Sequence, residues 1–212
     1  MRGHHQKKSI IDEGDLSPNR LQALVDGIFA IAMTLLVFNI HLPELADAKN
    51  AQRLWIEILN LWPNVLSFVI SFLILGTFWV AHHTEFNYIK KLDHKLIWLN
   101  VLYLLLISFF PFTAALLGSY AHNQTAVVIY AIHLIGMVML HYSMWQHVKN
   151  RKWLLIGTFD VKVNTLVNRL AFFAALAYGL AIVISFMSVG LALVIFILAP
   201  LPYMFGWIYR LV

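Results

Sequence analysis

Residues 20–43 read RLQALVDGIFAIAMTLLVFNIHLP. A helix that crosses the hydrocarbon of a bilayer needs about 20 mostly apolar residues. This stretch supplies them, opened by Ser17-Pro18-Asn19 and closed by Pro43, both boundary signals. At about 100° per residue, Gly27, Ile31, Leu35, Phe38 and Leu42 fall on one narrow stripe, with Thr34 at its flank and Asp26 on nearly the opposite side. The segment therefore combines an apolar row with a carboxylate set inside the membrane. A charge at that depth is costly unless paired, so Asp26 must find a partner or a wet vestibule. Arg20 on the same helix, Trp79, His82 and His83 in FWVAHH, and Asn100 at the start of a later span are the candidates.

The rest of the chain has the same character. Of 212 residues, 61% are hydrophobic and 12% charged, whereas soluble domains average about 25% charged residues. Spans are expected near 19–42, 62–88, 95–118, 124–148, 165–187 and 189–211, which makes an all-α polytopic membrane protein with six transmembrane helices. Residues 50–61, NAQRLWIEILNL, read as a short amphipathic helix lying at the interface. Residues 1–18 hold no apolar core ending at a small-residue cleavage site and are expected as a cytoplasmic arm ahead of a single channel-forming domain, 19–211.

Six spans divide the Lys and Arg residues unequally. Only Lys49 and Arg53 fall on one side, and the other thirteen of the fifteen fall on the opposite side. Because basic residues collect in cytoplasmic loops, both termini are expected in the cytoplasm. The net charge of +5 belongs to this topology signal, since the basic residues sit in short inter-span segments rather than on a stripe suited to nucleic acid. Cysteine is absent, which removes disulfides, thiolate metal sites and thiol nucleophiles. The ten histidines do not make a metal site: His133 and His141 lie two turns apart, and His82 and His83 point apart on a helix. No Gly-x-Ser-x-Gly, His-Glu-x-x-His or P-loop is present, and no second carboxylate lies near Asp26, so an enzyme is not expected.

Three segments in order carry a family likeness. They are R-x3-LVD-G-x-F-A-I-A-x-T-L-L from Arg20, FW-x2-HH from Phe78, and LIWLNVLYLLLISFFPFTAALL from Leu96. Together they resemble the bacterial branch of the transmembrane protein 175 potassium channel family, whose hallmark is Arg followed after three residues by Phe-Ser-Asp. This chain has Leu24-Val25-Asp26 there, keeping the acid and lacking the ring and hydroxyl. The resemblance implies a potassium-permeable cation channel without a Gly-rich carbonyl filter and with no cofactor, assembled as a homotetramer in a prokaryotic cytoplasmic membrane. By the same resemblance the first helices line the pore, Ile31, Leu35 and Phe38 constrict it, and Thr34 supplies hydroxyls for selectivity. Arg20, Asp26, Trp79, His82, His83 and Asn100 are expected to form a structural polar network. The rival reading is a proton-coupled secondary transporter using Asp26 and His82, which would lead one to expect inverted repeats and broken helices that the sequence does not display.

Overall fold

A computed structural model of the chain describes residues 17–41, 51–157 and 161–204. The expected cytoplasmic arm up to residue 16, the expected stripe residue Leu42, Lys49 and the last stretch of the sixth expected span lie outside the described residues. The described residues form α1 (Pro18–Leu35), which tightens into a 3-10 turn over Leu36–Asn39, followed by α2 (Ala51–Asn60), α3 (Trp62–Phe86), α4 (His94–Ser119), α5 (Gln124–Asn150), α6 (Val161–Ser185), α7 (Val189–Leu198) and α8 (Leu201–Met204).

Pro18–Asn39 and helices α3 to α6 are five segments long and apolar enough to cross a membrane. The sixth expected span differs. Its described part, Val189–Met204, is a shorter apolar segment interrupted after Leu198, where Pro200 and Pro202 each remove a backbone donor. The ten residues of α7 rise about 15 Å, half of the hydrocarbon thickness. The fifth long helix is described from Val161, ahead of the expected 165, and its Asn164 and Asn168 meet α5: Trp145 Nε1 donates to Asn164 at 3.3 Å and Gln146 Nε2 to Asn168 at 2.9 Å. The amphipathic segment is α2, which buries no residue against the bundle.

Lipid offers no hydrogen bonds, so the polar groups between helices must satisfy one another, and they do so at specific crossings. Between α3 and α4, Ser67 donates to the Ala114 carbonyl at 2.7 Å. Gly118 is what permits that approach, since a Cβ there would stand 3.2 Å from the Asn64 Cα and 3.2 Å from the Ser67 Cβ. Between α3 and α5, Ser71 and Tyr130 share a hydrogen bond of 2.9 Å in the core. His133 of α5 spans to α4, where its ring meets the Thr113 hydroxyl at 2.8 Å and the Leu106 carbonyl at 3.1 Å.

The two loops at one end of the bundle are tied together. Lys90 N donates to the Leu154 carbonyl at 2.7 Å, Ile156 N donates to Tyr88, and Ile89 and Leu155 form an isolated antiparallel bridge. Asp93 caps α4 by accepting from Leu96 N at 2.8 Å, and it also holds His147 Nε2 at 2.8 Å and Arg151 Nη1 at 3.1 Å. Burial pushes the Asp93 carboxyl upward, but the Leu96 N–H and the His147 and Arg151 partners outweigh it, and its pKa lies below the ordinary value.

Replacing Gly118 with Val is expected to force α3 and α4 apart and to cost about 1–3 kcal/mol, read as a lower midpoint of thermal unfolding in detergent. Because the folded Asp93 carboxyl titrates below its unfolded value of about 3.9, its contribution is present above that pH and is lost as pH falls through the lower folded value. The parent's melting point should therefore drop in strong acid, while Asp93→Asn should start lower at neutral pH and fall less.

Candidate functional site

The first helix is held on one side only. Leu21, Val25, Phe29, Ala32 and Leu36 are buried, one residue per turn, against α3 and α4. Val25 is wholly buried and Leu24 half exposed, so the departure from Phe-Ser puts a compact β-branched side chain into the packed seam and a leucine on the open side. About 120° around the helix, the apolar row of the sequence reading is uncovered: Ile31 is 60% exposed, Leu35 43% and Phe38 72%, with Ala30 and Thr34 open beside them. The Thr34 hydroxyl donates to the Ile31 carbonyl of its own helix at 2.9 Å. That bond uses the single hydroxyl proton and leaves the oxygen able to accept.

Polar contacts fasten α1 towards both ends. Near its start, Trp79 Nε1 donates to Asp26 Oδ1 at 2.8 Å, and Gln22 Nε2 donates to His83 Nδ1 at 2.9 Å. The Trp79 and His83 rings lie against each other with centroids 5.5 Å apart. Near its end, Asn39 Nδ2 donates to the Pro111 carbonyl at 3.0 Å, and Asn64 Nδ2 donates to the Asn39 carbonyl at 3.3 Å.

The expected polar network is thus two networks. Trp79 is the partner of Asp26; Arg20 is exposed and makes no ion pair with Asp26. His82 and His83 do point apart: His83 faces α1, while His82 is buried and donates through Nε2 to Asn100 Oδ1 at 2.9 Å, the amide being oriented by its own bond to the Leu96 carbonyl. Asp26 and His82, the pair of the transporter reading, therefore belong to separate networks. Sequence reasoning missed Gln22, whose role depends on which face of α3 meets α1. It also missed the contact of Glu85 with His141, 56 positions apart in the chain and 2.9 Å apart in space. No group of three or more potential metal ligands occurs among the described residues.

These features define a polytopic α-helical membrane protein whose first helix is pinned at both ends and bare along an apolar flank. A family model described as the endosomal/lysosomal potassium channel TMEM175 matches residues 20–111. The chain is 32% identical over 195 residues to a protein of Streptomyces collinus named a potassium channel, covering 88% of this chain and 91% of that one. It is 34% identical over 184 residues to another so named from Chamaesiphon minutus, covering 85% and 90%. The crystal structure of a lysosomal potassium-selective channel TMEM175 homologue from Chamaesiphon minutus superposes with a TM-score of 0.74 at 32% identity, over 86% of this chain and 94% of that one. The chain belongs to the TMEM175 family, which consists of ion channels and not enzymes.

Trp79→Phe keeps a ring against His83 and removes the donor to Asp26. The loss of that charge-assisted bond should destabilise the protein by about 1–3 kcal/mol in thermal unfolding, and Asp26→Asn combined with it should add little.

Proposed function

We propose that the chain is the subunit of a potassium-permeable cation channel of a prokaryotic cytoplasmic membrane. The observation that carries this reading is its alignment, over most of its length, with relatives named potassium channels. One copy of α1 cannot enclose a pore, and closed cyclic symmetry is the economical way to supply more. The family resemblance makes that assembly a homotetramer of six-span subunits, with both termini cytoplasmic as the division of Lys and Arg supports.

In this arrangement the uncovered flank of α1 faces the axis. Ile31, Leu35 and Phe38 narrow the path, and a throat lined by such side chains expels water, so conduction waits on its widening. Thr34 is the polar exception on that flank, and its hydroxyl oxygen, free to accept, replaces part of a potassium ion's hydration shell. The polar contacts of Asp26, Gln22 and Asn39 keep the flank turned to the axis by holding the opposite face of α1 on α3 and α4.

Reconstituted into proteoliposomes, the parent should pass potassium down its gradient without a coupled ion. Ile31→Ala and Leu35→Ala should raise the flux, and Ile31→Asn should raise it further by wetting the throat; about tenfold corresponds to a barrier lower by about 1.4 kcal/mol. All three variants leave the packed face of α1 intact and should assemble like the parent in size-exclusion chromatography. Fluxes equal to the parent's in all three would remove these residues from the pore.

A further inference from the structure

At the Asp93 end of the bundle, two loops distant in the chain become one surface. Residues 87–98 carry Lys90, Lys91 and Lys95, and residues 146–157 carry Lys149, Arg151 and Lys152. The backbone N–H groups of Lys90 and Lys91 donate to the Leu154 carbonyl at 2.7 Å and 3.3 Å, and that of Ile156 donates to Tyr88 at 2.9 Å, which holds the two segments side by side. All six cations are exposed except Lys149, which is half-buried. One acid, Asp93, falls in the same segments; it is buried, and its carboxylate is taken up by Leu96 N, His147 and Arg151. That contact fixes the Arg151 guanidinium near the start of α4 while 49% of its side chain stays exposed. Among the described residues, Lys90, Lys91, Lys95 and Lys152 have no carboxylate in these segments left to balance them.

A surface made only to face water would carry charges without large apolar groups. Here Trp98, Trp153 and Ile156 are each about half exposed among the cations. An indole, apolar in its rings and polar at its N–H, settles where hydrocarbon gives way to headgroups. Trp98 lies four residues into α4 from His94, about 6 Å along the helix axis. The headgroup region is about 5–7 Å deep on each side of the hydrocarbon. With Trp98 at the hydrocarbon boundary, Lys95 and the loop ahead of it therefore stand among headgroups. Basic side chains gathered at that level attract anionic lipid.

We propose that the joined loops form a docking surface for anionic phospholipid, with the lipid phosphate taken by Lys90, Lys91, Arg151 and Lys152 and its glycerol and upper chain carbons laid against Trp98 and Trp153. The occupant follows from charge complementarity together with the level of the indoles. The surface lies on the side where thirteen of the fifteen Lys and Arg residues fall, and it stands independently of the channel reading.

Native mass spectrometry of the full chain, titrated in detergent with lipids of matched acyl chains, tests the proposal. Phosphatidylglycerol should bind the parent at least about tenfold more tightly than phosphatidylcholine, since each Lys or Arg at such a surface is worth about fivefold. Lys90→Gln combined with Lys152→Gln leaves the backbone bonds between the loops in place. It should weaken phosphatidylglycerol at least about fivefold and leave phosphatidylcholine unchanged. Lys90→Arg combined with Lys152→Arg, which keeps the charge, should retain the parent's preference. Equal binding of the two lipids by the parent overturns the surface without recourse to any variant, and so does a glutamine variant that keeps the preference. Inorganic phosphate in large molar excess should leave phosphatidylglycerol bound; displacement by it overturns the lipid as occupant and assigns the cations to a soluble anion.

Discussion

Hydrocarbon solvates no hydrogen-bonding group, and this constraint gives the chain its internal geometry. Packing among apolar side chains in lipid has little directional preference, since lipid tails are as apolar as leucine. Polar groups have a strong one. Ser67 on the Ala114 carbonyl, Ser71 on Tyr130 and His133 between Thr113 and Leu106 each fix one helix against another at a single register. The same logic places α1: Gln22, Asp26 and Asn39 each find a donor or acceptor on α3 or α4, and the apolar row is among what remains uncovered.

The spans were legible because length and hydropathy are local properties. α2 to α5 fall within a few residues of their expected limits, and the apolar stripe on the first helix follows from spacing, while its exposure depends on how α1 packs. The pairings were not legible. Trp79, His82, His83, Arg20 and Asn100 all stood near Asp26 in the expected topology, and only the rotation of α3 decides that the indole, not an imidazole or the guanidinium, meets the carboxylate. The same rotation sends His82 to Asn100 and brings Glu85 to His141. The break after Leu198 was written in the sequence as Pro200 and Pro202, but strong hydropathy on both sides masked it as one continuous span.

The substitution of Leu24-Val25 for the family's Phe-Ser is accommodated on the same principle. Position 25 is sealed in the seam with α3 and α4, where an apolar side chain needs no partner and a hydroxyl would need one. Asp26, a retained member of the hallmark, accepts from the Trp79 indole, and Arg20, the other, is exposed.

The fastening of α1 near Asp26 and again near Asn39 also has a mechanical meaning. A rod clamped towards both ends and unsupported along one side is stiff against sliding and rotation but compliant in bending, and its largest excursion comes between the clamps. In this helix that midpoint is the turn from Ala30 to Thr34, small at its first residue and carrying its hydroxyl at the last. The turn on which the bulky Ile31 side chain projects is therefore the one farthest from both polar fastenings, held there by the packing of Phe29 and Ala32 alone.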